Sequence, residues 1–210
     1  MAVNPSRRYE SAVRSSAARA TRLAVVQAAH DLFVEKGYVA TTVDQIAMRA
    51  GVSKPTVFAS VGSKATVLKE VRDLAIAGDD APVPIAERGW YKRMLSEPDP
   101  RRTLAMYARN VTAINDRYAD VDHVLVAAAA AEPTLNQLWE QSEDERMRGA
   151  EHVVDNLAEK AALRCGRQGA IDIVWTLTAP EQLRRLVRRR GWTLARFERW
   201  LTDTFCEQLL

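Results

Sequence analysis

An all-α fold is predicted from three features of the sequence. Apolar residues recur at steps of three and four along almost the whole chain, which is the helical period. No segment shows the strict alternation of a half-buried strand, and only 9 Gly and 8 Pro punctuate 210 residues. With 47% hydrophobic and 27% charged residues there is material for a sizeable core, which excludes a disordered, collagen-like or disulfide-stapled chain.

Residues 1–19 are polar and rich in Ser, Ala and Arg, and are expected to form a flexible arm carrying Arg7, Arg8, Arg14 and Arg19. A first helix follows, in which Leu23, Val26, Ala29, Leu32 and Phe33 share a face until Gly37, a residue suited to a left-handed C-terminus. Thr42 and Gln45 have the spacing of a capping box and open a short helix with Val43, Ile46, Ala47 and Ala50 on one side, ended by Gly51. Ser53 caps a third helix, Lys54 to Val61, whose first turn tolerates Pro55 because amides there have no partner within the helix. Gly62 breaks it and Ser63 caps a fourth, carried by Val67, Leu68, Val71, Leu74 and Ala75 and fading at Gly78.

Residues 81–100, punctuated by Pro82, Pro84, Gly89, Pro98 and Pro100, read as a loop holding a short helix around Ile85 to Leu95. Further helices are expected near 101–117, 121–131, 134–163, 169–177, 180–189 and 194–209. The predicted organisation is an arm at 1–19, a compact helical unit at 20–64 and a larger helical domain at 65–210.

Charge is distributed unevenly between these parts. The first 64 residues hold nine Lys/Arg against four Asp/Glu, whereas the rest hold 21 against 23, so only the N-terminal third is suited to a polyanion. Cys165 and Cys206 are far apart, lack ligand spacing and are expected to be reduced thiols. The longest apolar run, Val124 to Ala131, is too short to span a membrane, and the N-terminus lacks a signal peptide's apolar stretch. A cytoplasmic location without membrane contact is expected.

Two helices of about eight residues joined by a turn containing glycine are the signature of a helix-turn-helix, whose second helix enters the major groove of DNA. Ala47 and Gly51 permit close crossing, and Ile46, Val52 and Val57 fill the angle. That leaves Lys54, Pro55, Thr56, Ala59 and Ser60 facing outward, where small side chains let the helix sit deep. Ser53 and Thr42 serve as caps that could also reach phosphate, and the start of the fourth helix, at Lys64, has the amides and dipole end that attract it.

The stretch LFVEKGYVATTVDQIAMRAGVSKPTVFASVGSKATVLKEV, residues 32–71, resembles the DNA-binding domain of the tetracycline-repressor (TetR) family of bacterial transcriptional regulators. The resemblance implies base-proximal roles for Lys54, Pro55 and Thr56 and phosphate contacts from Thr42 and Lys64. It is imperfect at Phe58, where the family usually has tyrosine, and at Ser60 and Val61, where it often has histidine and phenylalanine. Phe58 lacks the phenolic donor, so it is expected to pack partly into the core or against sugar or a thymine methyl.

A symmetric dimer matches the two half-sites of a palindrome, and the resemblance implies one. Its expected interface is the stripe Ile171, Val174, Trp175 together with Phe197, Trp200, Leu201 and Phe205, the alternative being that both stripes complete the core of the single chain. An effector site, expected for an apolar or aromatic molecule, draws on Met106, Tyr107, Asn110, Ile114, Tyr118, Trp139, Met147 and Trp175. Arg188 to Arg190, at a helix end, are expected to complement its dipole. His30, His123 and His152 are scattered, and no nucleophile, metal or phosphate-loop motif is present, so neither an enzyme nor a cofactor is expected. The expected function is a homodimeric, effector-responsive repressor on operator DNA. The competing class is a helical protein using its helix-turn-helix for nonspecific DNA or protein binding.

Overall fold

A computed structural model describes the backbone of residues 5–210 and the side chains of residues 15–210. Every regular element among the described residues is helical, with no strand: α1 (Pro5–Ala40), α2 (Val43–Ala50), α3 (Lys54–Ser60), α4 (Lys64–Ala77), a single 3-10 turn (Ile85–Glu87), α5 (Gly89–Ser96), α6 (Pro100–Ala129), α7 (Pro133–Ala158), α8 (Gly166–Leu177), α9 (Pro180–Leu183), a π-helical turn (Arg184–Arg189) and α10 (Leu194–Leu209). They divide into two compact units, Met1–Asp73 and Leu74–Leu210, rather than at the expected residue 64. Val67, Leu68 and Val71 of α4 are buried, which is why most of that helix stays with the first unit.

Helix α1 starts well before the apolar periodicity does. The stretch expected as a flexible arm is helical from Pro5 onward, an outcome suited to its alanines, which are the best helix formers. Residues 15–20 are exposed, so propensity rather than burial holds that part. The side chains of Arg7, Arg8 and Arg14 lie outside the described residues. The helix breaks where expected, at Gly37, whose φ of 80° is left-handed. Thr41 then turns back, buried, and donates its hydroxyl to the carbonyls of Gly37 at 2.8 Å and Leu32 at 3.2 Å.

The second unit is built around α6, against which α7, α9 and α10 pack. Two expected helices at 101–117 and 121–131 are one, because Tyr118, Ala119 and Val121 are buried and no residue between them breaks the helix. Helix α7 ends at Ala158, short of the expected residue 163.

The apolar stripes expected at a dimer interface lie instead in this unit's core. Ile171, Val174, Phe197, Leu201 and Phe205 are each at most 1% exposed within the single chain and cluster with Leu104, Ala108 and Leu157 of α6 and α7. A side chain already enclosed by its own chain has no surface left for a partner. Of the expected interface residues only Trp175 and Trp200 remain partly exposed at the edge of that cluster.

Candidate nucleic-acid interface

The helix-turn-helix is held by local chemistry at each end. At the start of α2 the Thr42 hydroxyl accepts from the Gln45 amide at 3.2 Å while the Gln45 carboxamide accepts from the Thr42 amide at 3.0 Å, closing the predicted capping box. Gly51 ends α2 at φ 68°, a conformation costly for any residue with a Cβ. Ser53 caps α3 by accepting from the Thr56 amide at 3.2 Å, and Ser63 caps α4 through the Thr66 amide at the same distance. Ile46 and Val57 are fully buried between the helices and Ala47 nearly so, which fixes their crossing.

This packing turns one face of α3 outward. Ser53, Lys54, Pro55, Phe58 and Ala59 are exposed, as is Thr42 at the start of α2, while Thr56 and Ser60 are half-buried. Phe58, expected to be partly core, is 49% exposed and presents its ring to solvent, because Val57 beside it takes the inward position. Ser60 donates back to the Val57 carbonyl at 3.3 Å.

Three cations of this unit, Lys54, Arg49 and Lys64, are engaged by groups of the protein. Lys54 Nζ pairs with Asp44 Oδ2 at 2.9 Å, joining the first turns of α3 and α2. Arg49 donates from both terminal nitrogens to Glu35 Oε2, each at 3.0 Å. Lys64 Nζ donates to the carbonyls of Tyr38 and Thr41, both at 3.0 Å, and stands 4.1 Å from the centre of the Tyr38 ring. Two of its three N–H bonds therefore secure the chain between α1 and α2, leaving one. Neither Asp44 nor this bracing role of Lys64 was predicted. The partners are ten and more residues distant: the crossing of α2 and α3 brings Lys54 to Asp44, and the start of α4 brings Lys64 to the end of α1.

The residues expected around an effector are gathered in part. Tyr107, Met147 and Trp175 pack against the core cluster of the second unit, and Met106 and Tyr107 also against Tyr91 and Met94. Asn110 approaches the Met94 sulfur at 3.9 Å. Ile114 and Trp139 are half-buried. Tyr118 donates to Asp122 Oδ1 at 3.0 Å, and burial pushes the Asp122 carboxyl up to about 6. Arg146, which sequence reasoning did not single out, joins these residues: it pairs with Glu143 at 2.7 Å, lies 4.8 Å from the Trp175 ring centre and donates to the Trp175 carbonyl. The Trp175 indole N–H is buried and has no hydrogen-bond partner within the protein. Arg188 pairs with Asp116 at 2.9 Å and Asp120 at 3.1 Å, so it bridges to α6 rather than merely complementing a helix end. Among the described residues no cluster of His, Cys, Asp and Glu could hold a metal ion, and no helix is long and apolar enough to cross a membrane.

A capped pair of short helices with an exposed second helix, followed by a separate helical unit, defines a helix-turn-helix protein. Residues 25–71 match the family described as bacterial regulatory proteins, tetR family. A curated relative, the uncharacterized HTH-type transcriptional regulator YdeS of Bacillus subtilis (strain 168), is 47% identical over 64 residues, 30% of this chain. The match spans about a third of that relative's length, 32%.

Solved structures extend the likeness in fold to nearly the whole chain. One, described as a TetR-family transcriptional regulator from Mesorhizobium loti MAFF303099, has a TM-score of 0.65 at 19% identity and covers 91% of this chain and 98% of its own. A transcriptional regulator from Saccharomonospora viridis, in complex with choline, has a TM-score of 0.67 at 17% identity, covering 90% and 96%. A TetR-family regulator from Syntrophomonas wolfei reaches 0.68 at 16% identity, covering 88% and 92%.

Proposed function

We propose that this chain is a DNA-binding transcriptional regulator that acts as a homodimeric repressor and is released from a palindromic operator by a small molecule. The observation that carries the reading is the capped α2–α3 pair with Lys54, Pro55, Thr56 and Ala59 along one accessible edge of α3. Short side chains on that edge let a helix approach base edges closely, and the amides at the starts of α2, α3 and α4 offer donors to phosphate. Thr42, Ser53 and Ser60 supply hydroxyls there. The remaining N–H of Lys64 is the one assigned to phosphate. Phe58, lacking a hydroxyl, offers its half-exposed ring to a sugar or a thymine methyl.

With the apolar stripe enclosed in the core, the dimer face falls to the outer side of α10. A groove of about 500 Å³ runs there between Trp192, Trp200, Arg196, Arg199, Asp203 and Glu207. Basic residues near one end and acidic residues near the other allow a two-fold partner to pair opposite charges across an isologous contact. For the effector, Tyr107, Met147, Trp175 and Arg146 combine apolar surface with a buried donor that lacks an acceptor. An amphipathic molecule with an acceptor oxygen fits that set, and the choline held by the S. viridis structure supports small-molecule binding by this fold.

A gel-shift against the DNA upstream of the chain's own gene tests the function. Binding to that DNA in preference to a scrambled duplex of equal length is expected. Equal affinity for both would instead favour the nonspecific helix-turn-helix reading.

A further inference from the structure

The contact between Asp44 and Lys54 stands out because of where it is. Asp44 lies in the first turn of α2 and Lys54 in the first turn of α3, at the ends of the two helices that the regulator reading turns toward DNA. Both side chains are well exposed, 67% and 50%, and an exposed ion pair of this kind adds little to stability. The fold does not need it. A carboxylate at a phosphate-facing surface also repels the duplex, so its presence there needs a compensating interaction.

We propose that Asp44 and Lys54 act as one unit that selects a G·C base pair. The inference rests on the DNA-binding reading above. In the major groove guanine presents two acceptors, O6 and N7, and cytosine presents a donor, the N4 amine, side by side on one pair. An ammonium and a carboxylate 2.9 Å apart present the complementary set, a donor next to an acceptor. Lys54 donates to guanine and Asp44 accepts from cytosine. Only Oδ2 of Asp44 is bonded to Lys54, and a carboxylate has lone pairs for several donors, so the ion pair persists while the base is read. With Lys54 over the first base and Asp44 over the second, an A·T pair reverses the central order, its N6 amine facing Lys54 and its O4 facing Asp44, and a T·A pair places the thymine methyl where guanine has N7. Asp44 thereby also prevents Lys54 from acting as an indiscriminate phosphate ligand, which lowers affinity for DNA in general.

The competing explanation is that Asp44 merely complements the dipole at the start of α2. That role affects stability and leaves sequence preference untouched, so the two are separable. The test is selection from a random duplex library by the full chain and by the Asp44→Ala and Asp44→Asn variants, followed by titration of the selected half-site carrying G·C or A·T at each position. Far-UV dichroism and thermal melting establish that each variant is folded, and Asp44→Asn keeps the size and an acceptor oxygen should the alanine variant melt.

The wild-type chain is expected to select G·C at one position of each half-site, with a preference of about tenfold, the scale of one good two-point base contact. Asp44→Ala should lose that preference to within twofold at this position only and bind unselected DNA as tightly as wild type or more so, while Asp44→Asn, which keeps an acceptor oxygen but no charge to hold Lys54, should lose part of it. A variant profile that matches wild type at every position overturns the pair while leaving the regulator reading intact. Failure of the wild-type chain to enrich any sequence overturns both.

Discussion

Arg117 of α6 donates from Nε to the carbonyl of Ala75 at 3.0 Å and from its terminal nitrogen to that of Ile76 at 3.3 Å. A cation thus closes the last turn of α4, where carbonyls lack helical partners and the dipole is negative. Gly78 follows with φ 81°, and a Cβ there would stand 3.0 Å from the guanidinium. Gly78→Ala should lower stability by about 1–2 kcal/mol, chiefly through the left-handed backbone. For a chain of this size that is a fall of roughly 2–8 °C in the thermal midpoint. Amide exchange in the last turn of α4 should rise with it, and an unchanged midpoint would show that this turn is not strained by a side chain.

Lys64 separates a bracing role from a phosphate-binding one. Lys64→Ala removes two charge-assisted bonds to the Tyr38 and Thr41 carbonyls and should lower stability by roughly 1–2 kcal/mol. If the third N–H meets phosphate, DNA affinity should also fall on all sequences alike, with the salt slope smaller by about one unit. A stability loss with an unchanged slope assigns Lys64 to bracing alone.

The two faces of α10 should respond differently to substitution. Phe205→Ala empties a fully enclosed position and should lower stability by about 3–5 kcal/mol. Arg199→Glu, on the outer face beside the groove, should leave the monomer folded and weaken self-association at least tenfold in sedimentation equilibrium. Unchanged association would move the dimer contact away from this face.

Asp122 makes a pH prediction with a definite sign. Burial raises its carboxyl from the ordinary 3.8 to about 6, so the folded state holds the proton more tightly than the unfolded chain does. The resulting stabilisation is complete below about pH 4 and is lost as pH rises through 6. Asp122→Asn, which cannot ionise, should therefore gain stability relative to wild type between pH 4 and 7, measured as urea midpoints. A constant difference across that range would show that Asp122 is ionised in the folded protein. Low-lying groups such as Asp79, held near 2 by Arg88, change stability below pH 4 and cancel in the comparison.

What could be read from the sequence follows the range of the chemistry involved. The boundaries of α2 and α3 were legible because Thr42, Gln45, Gly51 and Ser53 determine them through contacts within a few residues. The stripe through Phe197, Leu201 and Phe205 was visible as apolar, but core could not be told from interface, since a helix facing its own chain and one facing a second copy carry the same periodicity. Tyr118 to Val121 hid the continuity of α6, because only burial distinguishes an uninterrupted helix from two abutting ones. The Asp44–Lys54 pair depends on how α2 crosses α3 and the bracing by Lys64 on where α4 starts relative to the end of α1, which local spacing does not encode.

The serine and threonine caps at the starts of α2, α3 and α4 have a thermodynamic consequence. Each closes its helix with a bond inside the protein, so the reading surface has its shape before any duplex arrives. Docking on it requires little backbone ordering, and its heat-capacity change should track the surface covered rather than a folding transition. Base discrimination then reaches the measured affinity nearly undiminished by conformational entropy.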